Sequence, residues 1–238
     1  MNMKERTLKE QLLKNQINVK DHSVEIYVDN WTKDKNIIFS ELPEEVQRGI
    51  SFITAGYSNS KDNRLNISRA DIFGEENLLY RFIKVLMFGY PKAEVSHFDK
   101  KGSQSSMHKI LSSYPDLKLS LSNLLNKNFD TVEDFIEDSS VITLWKTNGL
   151  GLSTFSKFLY LFGVTFKESP CVIIDSRVKK SFEFYEETSS IAKIQILGSK
   201  DEETLKAYLK ILEALQEISY NYNIAIDLLE YILFNTRA

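Results

Sequence analysis

Apolar side chains along most of the chain recur every three or four positions, a spacing that predicts amphipathic helices. The clearest case is residues 68–89, where Ser68 stands three residues ahead of Asp71 as an N-cap and a broad apolar face follows. This stretch predicts one long buried helix that ends at Gly89 and Pro91. Further helices are predicted at residues 4–16, just after Pro43, at 117–126, at 131–147, and as a pair between 201 and 237.

The N-terminal region is less regular. Alternation of Val24, Ile26 and Val28 predicts a short strand, and the polar residues 58–66 predict a surface loop. We therefore expect an all-α, mainly helical protein with a short β element near the N-terminus. Residues 1–238 are expected to form one compact unit, with an N-terminal region at 1–66 and a helical core at 67–238.

Composition agrees with a globular protein. Hydrophobic residues make up 42% of the chain, charged residues 26%, and the mean hydropathy is -0.26. No apolar run reaches the roughly 18 residues that suggest a membrane span, and the polar first residues do not resemble a signal peptide. We expect a cytoplasmic protein without a membrane partner.

The net charge and the numbers of cysteine and histidine residues limit the kinds of binding site and metal centre that this chain can form. A net charge of -3 disfavours nucleic-acid binding through bulk positive charge, so any phosphate contact must be local. The single cysteine, Cys171, excludes an intramolecular disulfide and a four-cysteine cluster. Three scattered histidines disfavour a zinc enzyme, and we expect no metal and no cofactor. His97 and His108 are interpreted as surface or capping residues.

A glycine pair separates two helical patterns in the stretch KTNGLGLSTFSKFLYLFG. Gly149 and Gly151 predict a tight hairpin, because glycine permits backbone conformations and close approaches that other residues do not. The helix that follows presents free N–H groups and its positive dipole end, which together favour a phosphate. Ser153 and Thr154 add hydroxyl donors there. A simple turn is the alternative for the glycines, considered alone.

One aspartate follows this hairpin. Pro170 stiffens the return of the chain, and CVIID then brings Asp175 to the start of another predicted helix. The helix dipole favours an ionised carboxylate at that point. Cleavage of an N-glycosidic bond builds positive charge on the sugar, which such a carboxylate stabilises. A plain N-cap role for Asp175 is compatible with this chemistry.

Residues 148–178, NGLGLSTFSKFLYLFG and PCVIIDSRV, resemble the helix-hairpin-helix-GPD superfamily of DNA glycosylases, in particular its bacterial branch similar to 8-oxoguanine DNA glycosylase. The resemblance implies an all-α fold of two helical subdomains around a cleft that holds a flipped nucleotide. The helix-hairpin-helix and aspartate motif of the family lies within residues 141–185. By that motif, Gly149 and Gly151 match the phosphate-binding hairpin glycines, and Asp175 matches the catalytic aspartate.

The chain departs from the family at the Schiff-base lysine. That position, two residues after the second glycine, is Ser153, and Lys157 lies one helical turn further along. We therefore expect a monofunctional enzyme with water as the nucleophile. Lys157 is then a phosphate or substrate contact or a displaced nucleophile, and a solvated lysine is the simplest interpretation.

Two further groups of residues have open interpretations. Arg177, Lys179 and Lys180 form either a phosphate-binding cluster or the solvated face of a helix. Stacking against an extruded base requires aromatic side chains. The candidates for that role are Tyr80, Phe88 and Tyr90.

The sequence thus predicts a monomeric DNA N-glycosylase that flips a modified or damaged base out of double-stranded DNA and cleaves its N-glycosidic bond. Excision of oxidised purines in repair and of modified bases from phage DNA in antiviral defence are both open. The alternatives are a non-catalytic helix-hairpin-helix module that binds DNA, and a helical scaffold that binds a protein partner.

Overall fold

The computed structural model describes Leu8, Gln11 and residues 18–32, 37–55, 63–91, 106–194 and 200–236. Over these residues the chain is mainly helical, which confirms the predicted fold class. The α-helices in chain order are α1 Asp29–Thr32, α2 Ile37–Ser40, α3 Glu44–Thr54, α4 Arg69–Phe73, α5 Leu78–Gly89, α6 Ser106–Ser112, α7 Tyr114–Leu124, α8 Val132–Glu137, α9 Ser139–Lys146, α10 Leu152–Leu161, α11 Ser176–Ser181, α12 Ser189–Ala192, α13 Glu202–Tyr222 and α14 Ile226–Asn235.

The strands are short. They are β1 Ser23–Tyr27, β2 Arg64–Ser68, β3 Asn128–Phe129, β4 Thr165–Phe166 and β5 Ser169–Pro170. β1 and β2 form an antiparallel ribbon, and β4 pairs with β3 in parallel and with β5 in antiparallel orientation. The predicted N-terminal strand is therefore confirmed. The loop predicted at 58–66 is wrong from Arg64 onward, because the alternating Leu65 and Ile67 are buried against the core as β2. Residues 58–62 and most of the predicted helix at 4–16 lie outside the described residues.

The long helix predicted at 68–89 is two helices. The predicted capping box of Ser68 and Asp71 is present at the start of α4. The helix ends at Phe73, however, and a second helix, α5, begins after its N-cap Asn77. Arg81 stabilises this break, because its guanidinium donates to the carbonyl oxygens of Phe73 and Glu75 at 2.7 and 2.8 Å.

Asp138 similarly divides the helix predicted at 131–147. Its carboxylate accepts the amide N–H groups of Ser140 and Val141, both at 2.9 Å, and so starts α9 separately from α8. The two predicted C-terminal helices are confirmed as α13 and α14.

The core surrounds α10, which is buried along most of its length. α10 packs against α5, where Phe158 stacks on Phe82 with ring centroids 5.5 Å apart. α14 packs against α11 and α13, and α4 lies beside α10. Among the described residues, no helix has the length and apolar character of a membrane span.

Candidate active site

The glycine hairpin lies between α9 and α10. Gly149 has a φ of +84°, and a Cβ atom there would lie 2.5 Å from the carbonyl oxygen of Ser106 in α6. Glycine is therefore required at this position both by backbone conformation and by space. The Lys200 amine donates to the carbonyl oxygen of Thr147 just before the hairpin, a contact that sequence reasoning missed.

Gly151 differs from Gly149. It is exposed, its backbone is extended, and a Cβ atom there would meet no atom within 4 Å. No side chain caps the N-terminus of α10 at this residue. The hairpin thus presents an open helix N-terminus, as the phosphate-binding prediction requires.

The two hydroxyls predicted to bind DNA have partners within the protein. Ser153 accepts a hydrogen bond from the Lys157 amine, and the buried Thr154 shares a 2.6 Å hydrogen bond with the Tyr90 hydroxyl. The contact of either hydroxyl with DNA stays a prediction.

Lys157 is buried, and the interpretation as a solvated lysine is wrong. Its side chain turns back along α10, so that Nζ lies 2.8 Å from Ser153 Oγ and only 8% of the residue is exposed. Gly89 of α5 leaves room for it, because a Cβ atom there would lie 3.2 Å from Lys157 Cδ. The displaced lysine therefore brings its amine to the serine that occupies the family's lysine position.

Burial lowers the pKa of the Lys157 amine. The negative charges of Asp175 and Glu230 oppose that decrease, and the positive charge of Arg69 adds to it. The amine and the Asp175 carboxylate are therefore within electrostatic range of each other.

Asp175 is the N-cap of α11. Its Oδ1 accepts the amide N–H groups of Arg177 and Val178 at 2.9 and 3.0 Å, and the residue is half-buried. Ser156 of α10 fixes the preceding segment, because its Oγ accepts the N–H of the buried Ile174 at 3.0 Å. The hairpin helix and the segment that carries the aspartate are thus linked directly.

The basic residues after Asp175 have different environments. Arg177 is exposed, with its guanidinium 5.0 Å from the ring centroid of Phe234, and Lys180 is also exposed. Lys179 is half-buried; burial lowers its pKa, and Asp175 opposes this. Their contact with phosphate stays a prediction.

The three aromatic residues predicted to stack on a flipped base do not lie together on one surface. Tyr90 lies against α10 through Thr154, whereas the Tyr80 ring stacks on the exposed Phe52 of α3 at 4.9 Å. Phe88 is buried, and its ring forms a T-shaped contact with the ring of His22, with the centroids 5.5 Å apart. Of the two interpretations of His108, as a surface or a capping residue, the surface one is wrong because that residue is buried in α6. His97 lies outside the described residues.

Sequence reasoning missed a charged pair behind Lys157. Arg69 of α4 and Glu230 of α14 form two hydrogen bonds, at 2.8 and 3.2 Å, with 1% and 0% of their side chains exposed. His22 lies close by, and burial together with Arg69 lowers its pKa to about 4. The one sequence signal was a glutamate within an otherwise apolar stretch of α14.

The described part of the chain contains no group of three or more side chains suited to hold a metal ion. A polar groove of about 540 Å³ lies at a different place, where α12 faces α13, and it involves none of the predicted site residues.

A protein-family model described as "Putative 8-oxoguanine DNA glycosylase OGG-like protein" matches residues 17–234. The match covers the hairpin, Lys157, Asp175 and α14 up to Phe234. The searches of curated proteins and of solved structures give no match.

Proposed function

Since the chain belongs to the OGG-like family of 8-oxoguanine DNA glycosylase proteins, we propose that it is a DNA N-glycosylase that excises a modified or damaged base from double-stranded DNA. The observation that carries the proposal is the association of Asp175 with the open hairpin and the buried Lys157. The base is flipped out of the duplex, because its glycosidic carbon is otherwise inaccessible.

Asp175 acts on the sugar. As the bond between C1′ and the base nitrogen breaks, the base leaves with the bonding electron pair and takes up a proton, and positive charge develops on the sugar. The carboxylate stabilises that charge. A water oxygen then bonds to C1′ and loses a proton, which leaves an abasic site. The open N-terminus of α10 binds a backbone phosphate nearby.

Two nucleophiles are candidates. We propose water as the nucleophile, because Ser153 occupies the position of the family's Schiff-base lysine. An enzyme that uses water is monofunctional. The burial of the Lys157 amine favours the second candidate, since a lowered pKa gives more of the neutral, nucleophilic form. In that case Nζ bonds to C1′ and loses a proton, and ring opening gives an imine that borohydride reduces to a stable protein–DNA bond.

The test uses duplexes that each carry one modified base, chosen from oxidised purines, alkylated bases, and hydroxymethylated and glucosylated cytosines. Mass spectrometry identifies any released base, and borohydride trapping is run in parallel. Release of an oxidised purine supports repair, whereas release of a modified cytosine supports defence against phage. If borohydride traps the wild-type protein on DNA but does not trap Lys157→Ala, the nucleophile is the Lys157 amine and not water.

Asp175→Asn should abolish base release and keep DNA binding. A matched control is Asp201→Asn, because Asp201 caps α13 by accepting the Thr204 amide at 2.9 Å. Asparagine caps helices about as well as aspartate, so both variants should fold and only Asp175→Asn should lose activity. Binding without release by the wild-type protein would favour the non-catalytic module, and binding that is insensitive to salt would contradict phosphate anchoring.

A further inference from the structure

The Arg69–Glu230 pair is almost fully shielded from water. Removing two charges from water is costly, and the attraction between them often does no more than offset that cost. Two apolar side chains of similar size would fill the same space with comparable stability. Packing alone therefore does not explain why charges lie at this position.

The pair connects three helices around the candidate active site. The Arg69 guanidinium lies over the ring of Tyr160 at 4.9 Å from its centroid, and the Tyr160 hydroxyl donates to Asp227 of α14 at 3.3 Å. Tyr160 follows Lys157 by three positions in α10, so both lie on the same side of that helix. Arg69 and Glu230 thus fix the side of α10 from which Lys157 projects.

The same charges act on the Lys157 amine. In the described part of the chain, the charged groups that act on this amine are Asp175 before α11, Glu230 on α14 and Arg69 on α4. The influence is mutual, because the charges of Asp175 and Lys157 also act on the Glu230 carboxyl, whose pKa burial raises. Glu230 therefore couples Lys157 to the more exposed aspartate.

We infer that Arg69 and Glu230 are positioning residues of the candidate active site, which orient α10 against α14 and hold a fixed carboxylate–guanidinium pair beside the Lys157 amine. They act through Lys157 and Asp175 and do not touch the DNA. The inference rests on the proposed function for its relevance to catalysis. The coupling of charges is a property of the protein without DNA.

Glu230→Gln tests the inference, because glutamine keeps the size of the side chain and removes its charge. Lys157 then keeps the nearby positive charge of Arg69 and loses a negative one, so it should release its proton more readily. The midpoint of the Lys157 titration should therefore shift to lower pH in the variant, and the fraction of neutral amine at a fixed pH below the Lys157 pKa should rise. Nitrogen-15 NMR titration of labelled lysines reports this directly, with the Lys157 signal assigned by its loss in Lys157→Arg.

Glu75→Gln is the matched control. Glu75 forms a partly buried ion pair with Lys84 at 2.6 Å, with side chains 17% and 21% exposed. It is not among the charges that act on Lys157, so the titration of Lys157 should be unchanged. A folded Glu230→Gln protein whose Lys157 titrates as in the wild type would overturn the inference.

An unpaired buried guanidinium is strongly destabilising, so a second variant covers the case in which Glu230→Gln does not fold. Arg69→Met combined with Glu230→Met removes both charges and keeps the volume. Glu230 acts on Lys157 more strongly than Arg69 does, so the midpoint of the Lys157 titration should still shift to lower pH, by less than in Glu230→Gln. A purely structural pair predicts no change, and that result would refute the inference.

The NMR result and the base-release assay separate the two proposals. Base release by the wild-type protein with an unshifted Lys157 titration in the folded variants would overturn the inference and leave the glycosylase proposal standing. A shifted titration without base release on any duplex would overturn the glycosylase proposal and leave the charge coupling established.

Discussion

Gly149 and Gly151 are separated by one residue in the hairpin, yet they have different structural roles. Gly149 has a left-handed backbone conformation that other residues adopt at a cost of about 1–2 kcal/mol. Ser106 of α6 packs directly against it. Gly151 has an ordinary backbone conformation and faces open space. The first is needed for folding, whereas the second leaves room for a ligand at the start of α10.

Alanine at each glycine should therefore have different effects. Gly149→Ala should lower the free energy of unfolding by at least about 1 kcal/mol, from backbone strain and from collision with the Ser106 carbonyl. Gly151→Ala should change stability by less than about 0.5 kcal/mol and weaken duplex binding, because its methyl group occupies the phosphate approach. Urea denaturation and fluorescence anisotropy measure the two effects. Unchanged DNA affinity in Gly151→Ala would exclude the hairpin from the DNA interface.

The two glycines and Asp175 were predictable from sequence because each acts through its immediate neighbours in the chain. A glycine turn and an N-cap are fixed by a few adjacent residues. The burial of Lys157 was not predictable, since it depends on Gly89 and Ser153 together with charges from other helices. Lysine in an apolar helix is more often solvated at its tip, which is why the simpler interpretation was wrong.

Contacts between α10 and the segment before α11 determine where Asp175 lies. The single hydroxyl of Ser156 accepts from the Ile174 amide and donates to the Ser153 carbonyl at 3.1 Å. Both Ser156 and Ile174 are completely buried. This one side chain therefore links the helix of Lys157 to the residue before Asp175.

Ser156→Ala should lower the free energy of unfolding by about 1–3 kcal/mol, because the buried Ile174 amide loses the hydroxyl acceptor that Ser156 provides. It should also speed hydrogen exchange at that amide and reduce base release through misplacement of Asp175. Ser181→Ala is the control: Ser181 is equally buried, but its hydroxyl donates to the Val178 carbonyl of its own helix. Equal exchange at Ile174 in the two variants would contradict this role of Ser156.

Helix patterns predicted the main elements, but not where they break. The apolar periodicity resumes after Gly74, and the break depends on Arg81, which reaches back to the carbonyl oxygens of Phe73 and Glu75. Likewise, β2 was assigned to a loop because its partner strand β1 lies about forty residues earlier, outside any local pattern. The first error thus comes from a side-chain contact six to eight residues along the chain, and the second from long-range strand pairing.

Across the whole molecule, protonation of His22 links folding to pH. The folded protein holds the His22 pKa at about 4, compared with 6.5 for an ordinary histidine. Between these values the unfolded chain binds a proton that the folded protein does not, so the free energy of unfolding rises with pH. The contribution is complete above pH 6.5 and is lost as the pH falls towards 4.

His22→Phe should therefore flatten the dependence of stability on pH between 4 and 6.5. Phenylalanine suits the site because His22 is surrounded by the rings of Phe88, Tyr231 and Phe234. Urea midpoints measured at intervals across this window, for wild type and variant, provide the test. Parallel curves for the two proteins would show that His22 does not titrate as the structure indicates.

The overall charge of -3 is compatible with a DNA-binding protein only if the positive groups are local. The structure supplies such groups near the hairpin and α11: Lys200 contacts the turn before Gly149, and Arg177 is exposed next to Asp175. A helix N-terminus contributes to phosphate binding without changing the net charge at all.

The Arg69–Glu230 pair joins residues 161 positions apart in the chain. During synthesis the ribosome releases the hairpin, Lys157 and Asp175 well before it releases α14, so a nascent chain can form the helices of the site without the buried carboxylate that pairs with Arg69. Contacts between such distant residues form late in folding, because a long loop must close first. The charge environment of the candidate site is therefore completed only after α14 has been translated and has packed against α4.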